Sequence, residues 1–358
     1  MPVAEQAILQ ALRSVEDPDL GTDIVSLNFV KNIVIDGPRV SFKIELTTPA
    51  CPVKDLLEEQ ARQVVLALDG VSEVEIEMTS RVRTRESSKE DLVPGVRQIV
   101  AIASGKGGVG KSTVSVNLAL ALAKQGARVG LLDADVYGPS IPMMMGVAGE
   151  RPMARGEKIV PIERHGVRMM SIGFLIEEGQ ALLWRGPMVH TTLRQLLGDV
   201  LWGELDYLLV DLPPGTGDAP MSLGQIVPLS GVVIVTTPHA VASNIAGKAA
   251  SLFTKLGTPL LGVIENMATF VCPGCGTETR IFAGQVGESL AESLGVPFLG
   301  SVPLDATVSA STESGTPLSA MAYGAPNVQA FERIAGRLAA ELSIRAEAVA
   351  KQPAVTER

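Results

Sequence analysis

The sequence predicts an α/β protein in which a doubly wound, mostly parallel sheet is preceded by a small α+β domain. From about residue 97 onward, short apolar runs alternate with helical patterns, as in parallel strands joined by crossover helices. Apolar residues make up 46% of the chain but aromatic residues only 4%, so small aliphatic side chains must fill the core. The length of 358 residues is enough for two domains.

The first domain is predicted at residues 1–80. Its helix over Val53–Leu68 rests on an apolar stripe that includes Leu56 and Leu57. The other predicted elements, in chain order, are a helix at Ala4–Val15, strands at Phe29–Ile35 and Arg39–Leu46 joined by the turn Asp36-Gly37-Pro38, and a strand at Val71–Met78.

A polar, charged segment follows and is predicted to be a linker at residues 81–96. Residues 97–345 are predicted to form the larger domain, with a packed helix over Phe331–Ala350, and residues 346–358 a disordered tail. Six apolar strands are expected in this domain: Gln98–Ser104, Arg128–Leu132, Tyr207–Val210, Val232–Thr236, Leu261–Ile264 and Phe298–Val302.

The strand Gln98–Ser104 leads into a glycine-rich loop that fits the pattern G-x-x-x-x-G-K-[ST]. Because a helix over Ser112–Lys124 follows, backbone N–H groups and a helix N-terminus are expected to face phosphate oxygens. We expect Lys111 to hold the β- and γ-phosphates and the Ser112 hydroxyl to bind Mg²⁺. The whole loop consists of Gly105, Lys106, Gly107, Gly108, Val109, Gly110, Lys111, Ser112 and Thr113.

Aspartates end two of the apolar strands. Asp211 ends the strand at Tyr207–Val210, the position of the acid that orients Mg²⁺ in phosphate-loop proteins. Asp133 and Asp135 follow another strand and are expected to face one site, although either can instead cap a turn. We favour Asp135 as the residue that positions an attacking water.

Lys106 is an additional cation beside a loop already served by Lys111. Its position is explained if it reaches phosphates bound by a second copy of the chain, where it stabilises charge as an arginine finger does. This hypothesis makes catalysis depend on dimerisation.

A second candidate site is the Cys-x-x-Cys turn at Cys272 and Cys275. The motif is typical of a redox dithiol, a zinc site or an iron–sulfur ligand pair. A Cys₄ site needs four thiolates, which two chains meeting at this turn would supply. On local sequence a redox dithiol is the first alternative and a zinc ion bridging a dimer the second. The third cysteine, Cys51, lies between two prolines and is either a packed thiol or a reactive one.

The composition excludes several classes of protein. A net charge of −9 argues against broad nucleic-acid binding, which needs a positive field. The N-terminus has no signal-peptide pattern, and no run of about 18 apolar residues suggests a membrane span. Three cysteines are too few for a disulfide framework, so a reducing cytoplasm is the expected compartment.

Taken together, these motifs resemble the Mrp/ApbC-type iron–sulfur cluster carrier ATPases, a group within the MinD/ParA-like phosphate-loop superfamily. The resemblance also rests on four further segments: Leu131–Pro142, Trp184–Met188, Trp202–Asp218 and Glu265-Asn266-Met267. The first 80 residues resemble a MIP18-type domain, although Asn28 stands where that pattern usually has glycine.

The resemblance implies a phosphate-loop ATPase that forms a homodimer, holds a cluster, commonly [4Fe–4S], between two Cys-x-x-Cys pairs, and passes it to apo-proteins. It implies slow, dimer-dependent ATP hydrolysis and cluster assembly factors as further partners. It assigns Lys106 as the trans lysine, Asp135 as the switch acid, Asp211 as the Mg²⁺-site acid and Asn266 as an adenine contact. Cys272 and Cys275 would be the cluster ligands. Two alternatives remain open: a MinD/ParA-like positioning ATPase, and a zinc-bridged adaptor dimer.

Overall fold

The computed structural model describes residues 3–85, 91–176, 185–272, 274–282, 286–321 and 325–351. The chain forms two compact units, one of Met1–Arg83 with Ala339–Arg358 and one of Thr84–Leu338. Parts of the expected linker (86–90) and tail (352–358), together with Trp184, lie outside the described residues.

The first unit has a three-stranded sheet in the order β3-β4-β5, in which β4 runs antiparallel to β3 and parallel to β5. The predicted succession of helix, two strands, helix and strand is confirmed. The elements are α1 (Glu5–Leu12), β1 (Glu16–Asp17), β2 (Thr22–Asp23), β3 (Val30–Asp36), β4 (Arg39–Leu46), α2 (Lys54–Leu66) and β5 (Glu73–Ser80).

The core of this unit follows the periodicity of the sequence. Every second side chain of β4 is buried, and α2 buries Leu57, Ala61 and Val65, which are spaced four residues apart. Leu56, which belongs to the predicted stripe, is instead half-exposed at 50%. Asn28 has a φ of 59°, and asparagine is among the few non-glycine residues that adopt this left-handed region readily. This explains how Asn28 replaces the expected glycine.

The second unit alternates strands with helices along most of its length. Its elements are β6 (Val96–Ser104), α3 (Lys111–Lys124), β7 (Val129–Asp133), α4 (Ile141–Met144), β8 (Ala154–Arg155), β9 (Lys158–Ile159), β10 (Ile162–Arg164), β11 (Val167–Ser171), α5 (Gly186–Gly198), β12 (Leu205–Asp211), α6 (Asp218–Ile226), β13 (Gly231–Thr236), α7 (Ala240–Lys255), β14 (Leu260–Val271), β15 (Glu278–Thr279), α8 (Val286–Leu294), β16 (Phe298–Leu304), α9 (Ala306–Glu313), α10 (Leu318–Met321) and α11 (Pro326–Lys351).

The main sheet follows the order β10-β11-β7-β12-β6-β13-β14-β15, with β16 also paired to β14. All neighbouring pairs are parallel except β10–β11 and β14–β15. Strands β7, β12 and β13 are buried at every residue, as expected for parallel strands covered on both faces. The predicted doubly wound, mostly parallel fold is confirmed. The sequence did not predict β10 and β11, which are short and carry charged residues.

Helix α11 runs through residues of both units, with 326–338 in the second and 339–351 in the first. The packed helix predicted at Phe331–Ala350 is confirmed, and residues 346–351 are helical where a disordered tail was expected. In the first unit, Arg83 forms an ion pair with Glu347, with 2.8 Å between Nη1 and Oε2. This pair joins the C-terminal half of α11 to the N-terminal residues within the first unit.

Candidate nucleotide site and cysteine pair

The phosphate loop lies between β6 and α3, and its shape depends on glycine. At Gly105 the backbone of α7 approaches so closely that a Cβ atom would lie 2.3 Å from the carbonyl carbon of Ile245. Gly110 has a φ of 77°, a left-handed conformation that glycine adopts without steric cost. The loop lines a cavity of about 290 Å³, whose other walls include Asp135 and Pro214. A cavity of this size beside the start of α3 is suited to phosphate groups.

At the base of the cavity, Lys111 and Asp211 form a buried ion pair. The Lys111 Nζ atom lies 2.7 Å from Asp211 Oδ1, and the two side chains are 6% and 0% exposed. Asp211 also accepts hydrogen bonds of 2.6 Å from the Ser112 and Ser115 hydroxyl groups, at Oδ2 and Oδ1 respectively. The sequence predicted that three of these residues, Lys111, Ser112 and Asp211, would serve one site, and the fold brings them together.

Ser112 and Asp211 fit a magnesium site. A serine hydroxyl and a carboxylate are oxygen ligands of the kind that Mg²⁺ binds, usually alongside water and substrate phosphates. The Ser112 side chain lines the cavity, and its oxygen is within hydrogen-bond distance of the Asp211 carboxylate. The two oxygens are therefore close enough to serve one ion.

The two aspartates after β7 have different surroundings. Asp133 is completely buried, and its Oδ2 accepts hydrogen bonds from the backbone N–H groups of Ser140 and Ile141 and from the Ser171 hydroxyl. Burial, with the nearby charge of Asp211, raises the pKa of Asp133 to about 7. Of the two roles that the sequence left open for Asp133, these contacts support the capping of the turn that follows β7.

Asp135, by contrast, lines the cavity. Its Oδ1 accepts a 3.2 Å hydrogen bond from the Gly138 N–H group. Burial raises the pKa of Asp135, and the positive charge of Lys111 opposes that rise. A carboxylate in this position can accept a proton or hydrogen bond from a molecule bound in the cavity.

Two further predicted residues lie at the loop. Lys106 is exposed and contributes to the cavity wall, and its ammonium group forms no ion pair with any other residue that the structure describes. Asn266, on β14, is 7% exposed and donates a hydrogen bond of 2.9 Å from Nδ2 to the Val109 carbonyl oxygen. Asn266 therefore supports the backbone of the loop.

The cysteine pair lies on the hairpin between β14 and β15. The Cys272 N–H group donates to the Thr277 carbonyl oxygen at 3.0 Å, which closes the turn. Cys272 is half-buried and Cys275 is exposed. Hydrogen bonding with Thr277, and then with Cys272, lowers the pKa of the Cys275 thiol. Of the two residues between the cysteines, Pro273 lies outside the described residues.

Cys51 differs from this pair. Its side chain packs against the core of the first unit, and burial raises the pKa of its thiol to about 11. Of the two interpretations of Cys51, the structure favours the packed thiol. Within the described ranges, no group of three or more His, Cys, Asp or Glu side chains is arranged to hold a metal ion.

The sequence reasoning missed Ser115 and Ser171, which hold the carboxylates of Asp211 and Asp133. Ser115 lies one turn after Lys111 within an otherwise mostly apolar, buried stretch of α3. A serine on the same helix face as the loop lysine was the available signal. Ser171 had no comparable signal, because β11 was not predicted.

Among the described helices, none is long and apolar enough to cross a membrane.

Comparison with known proteins identifies the family. The sequence profile of the NUBPL iron-transfer P-loop NTPases matches residues 95–339, and that of an iron–sulfur cluster assembly protein matches residues 5–77. The iron–sulfur cluster carrier protein of Deinococcus radiodurans is 46% identical over 340 residues, covering 95% of this chain and 96% of the relative.

Solved structures agree with this result. A nucleotide-binding protein from Archaeoglobus fulgidus, determined in complex with ADP, is 37% identical with a TM-score of 0.59, covering 68% of this chain and 96% of the other. A chain of the MinC:MinD cell division protein complex from Aquifex aeolicus is 20% identical with a TM-score of 0.51, covering 73% of this chain and 99% of that chain, and it shows the fold alone. The resemblance to the iron–sulfur carrier ATPases is confirmed. With its glycine loop, buried Lys111–Asp211 pair and profile match over most of its length, this chain belongs to the NUBPL iron-transfer P-loop NTPase family.

Proposed function

We propose that this protein carries an iron–sulfur cluster between two copies of its chain and transfers it to apo-proteins, using ATP binding and hydrolysis. The observation that carries the proposal is the exposed hairpin of Cys272 and Cys275 on a phosphate-loop domain. One chain supplies two thiolates, whereas a [4Fe–4S] cluster takes four. A homodimer joined at this hairpin completes the set. Transfer requires that ligands on an apo-protein replace these thiolates, and an exposed site allows this exchange.

The nucleotide half of the proposal assigns a role to each loop residue. The N–H groups of residues 105–113 and the Lys111 ammonium bind the β- and γ-phosphates of ATP. Ser112 and Asp211 would hold Mg²⁺, which would neutralise charge on the phosphates. The 2.7 Å contact with Asp211 holds the Lys111 ammonium group beside the cavity in which the phosphates would bind.

Hydrolysis in this proposal needs a second chain. Asp135 lines the cavity and orients the water that attacks the γ-phosphate. Lys106, which is exposed, reaches the phosphates bound by the partner and stabilises the charge that develops there. Turnover is therefore slow for a single chain and faster in the dimer. Apo-proteins and cluster assembly factors are the proposed partners, and a reducing cytoplasm is the compartment in which the exposed thiols stay available.

Anaerobic reconstitution tests the cluster site. We expect the wild-type protein to bind iron and sulfide at about four of each per dimer and to elute as a dimer. The double variant Cys272→Ser/Cys275→Ser should lose the bound iron while keeping its affinity for ATP. Cys51→Ala is the matched control and should keep the iron, because Cys51 packs in the core of the first unit. Unchanged iron content in the double variant would refute the proposal.

The same preparation separates the two alternative functions. Protein purified without oxygen that contains zinc at one ion per dimer, with neither iron nor sulfide, would identify a bridging adaptor. Sedimentation with anionic vesicles or DNA only in the presence of ATP would instead identify a positioning ATPase. We expect iron and sulfide, and no sedimentation with either.

A further inference from the structure

Strand β14 contacts the phosphate loop and also carries the cysteine hairpin. Asn266, near the middle of the strand, donates its 2.9 Å hydrogen bond to Val109, a residue of the loop that is 157 positions away in the chain. The asparagine side chain is 93% buried, so water does not compete readily for this bond. Any movement of the Val109 carbonyl group on phosphate binding must therefore displace Asn266 or break the bond.

The next residue gives the strand a bend. Met267 has a φ of 59°, a left-handed conformation that is uncommon for a residue other than glycine, asparagine or aspartate. Its Cε atom lies 3.5 Å from the place that a Cβ of Gly110 would occupy, so Met267 also lies against the loop. The register between β14 and β16 shifts between Asn266 and Phe270. The strand thus changes conformation directly after its contact with the loop.

Beyond the bend, β14 and the cysteine turn form one hydrogen-bonded piece. Phe270 and Val271 pair with Thr279 and Glu278 of β15. The Thr269 hydroxyl donates a 2.6 Å hydrogen bond to the Glu278 carboxylate. From Asn266 to Cys272 the chain covers six residues, at most about 20 Å of extended strand. A rotation at the bend therefore moves both thiols together.

We infer that Asn266 is a positioning residue that couples the nucleotide state of the phosphate loop to the cysteine hairpin, with Met267 as the hinge. The inference rests on the proposed function, in which ATP occupies the loop and a cluster occupies the hairpin. The resemblance assigned Asn266 to adenine, whereas its hydrogen bond here is to the loop backbone. In this inference, the phosphate loop takes one position with ATP bound and another without it, and each position favours a different orientation of β14. ATP therefore changes the exposure of Cys272 and Cys275.

The test measures thiol alkylation in cluster-free protein, in a Cys51→Ala background. The rates of Cys272 and Cys275 with iodoacetamide are followed by mass spectrometry, with and without saturating Mg-ATP. With Asn266 intact, ATP should change the rates about fivefold or more, the lower end of typical coupling between two sites. Asn266→Ala and Met267→Gly should bring the ratio to about one at ATP concentrations that saturate each variant, as determined by titration. Asn244→Ala, at an exposed asparagine of α7, is the matched control and should keep the full ratio.

Each other result overturns the inference. If ATP leaves the rates unchanged with Asn266 present, or if both variants keep the full ratio, β14 does not couple the two sites. If Asn266→Ala abolishes ATP binding, the residue belongs to the nucleotide site itself. The alkylation rates are measured without a cluster. The iron content after reconstitution tests the proposed cluster function separately, so failure of the coupling and failure of cluster binding can be distinguished.

Discussion

Asp211 is the residue through which the nucleotide site is organised. Its carboxylate is completely buried and has three close partners: the Lys111 ammonium and the hydroxyl groups of Ser112 and Ser115. Breaking a buried ion pair by removing one partner typically costs about 3–5 kcal/mol, because the other charge is left without compensation. Asp211 thereby holds Lys111 and Ser112 at the cavity wall, where the proposed function gives both of them phosphate oxygens as new partners.

The three cysteines differ enough in environment to be distinguished chemically. Only the thiolate reacts with iodoacetamide. Because burial raises the pKa of Cys51 to about 11, while hydrogen bonds lower that of Cys275, we expect Cys275 to be alkylated much faster than Cys51 at pH 8. Peptide mass spectrometry of native protein over time measures both rates. In urea the two rates should become similar.

The raised pKa of Cys51 also affects the stability of the fold. A thiol whose folded-state pKa is raised keeps its proton when the unfolded chain has lost it, so it contributes stability below the unfolded pKa of about 9. That contribution is lost as the pH rises from about 9 to about 11. Cys51→Ala should remove this part of the pH dependence of unfolding. Equal alkylation of Cys51 and Cys275 in native protein would contradict the packed position of Cys51.

At the scale of elements, local pattern predicted the strands of the sheet but not their full extent. The strand predicted at Leu261–Ile264 extends to Val271, because pairing with β15 and β16 stabilises its more polar second half. Such pairing depends on distant parts of the chain. Local pattern also could not predict that Asp133 and Asp135 have different environments, because these depend on a turn at Ser140 and on β11. The glycine loop was predictable because its pattern is entirely local.

The contact between β14 and the loop leads to a prediction at Gly110. Alanine there would be strained by the φ of 77°, and its Cβ would lie 2.2 Å from Asn266 Nδ2, so the asparagine must move away from Val109. Gly149→Ala is the matched control, because Gly149 has a φ of 81° and a Cβ would have no atom within 4 Å. Strain alone should destabilise each variant by about 1–2 kcal/mol.

Gly110→Ala should therefore lose more than Gly149→Ala. Removing a buried hydrogen bond typically adds about 1–3 kcal/mol, measured as the free energy of unfolding in urea. The affinity of Gly110→Ala for ATP should also fall, whereas the affinity of Gly149→Ala should not. Isothermal titration calorimetry measures both affinities. Equal unfolding energies for the two variants would mean that the Asn266 contact contributes nothing to the stability of the fold.

For the whole molecule, two separate features support the proposed homodimer. The hairpin offers two thiols where a cluster takes four, and Lys106 is exposed beside a loop whose own lysine is already buried. The sequence alone supported this reasoning, because it depends on counting ligands and charges. The structure adds that Lys111 is held by Asp211 and that Lys106 has no ion-pair partner among the residues described. The two lysines therefore have different environments, which agrees with the different roles proposed for them.

Mixing two inactive variants tests whether the dimer shares its sites. Lys106→Ala should lower ATP hydrolysis about a thousandfold or more while leaving ATP affinity and folding intact, as for loss of an arginine finger. Ser112→Ala should also be inactive, because its own loop no longer holds Mg²⁺. In an equal mixture, a heterodimer combines the intact loop of the first variant with the intact Lys106 of the second. Activity should recover to about a quarter of the wild-type rate per chain, since half of the dimers then contain one complete site. If Lys106 acts on its own loop, neither chain has a complete site and the mixture stays as inactive as its parents.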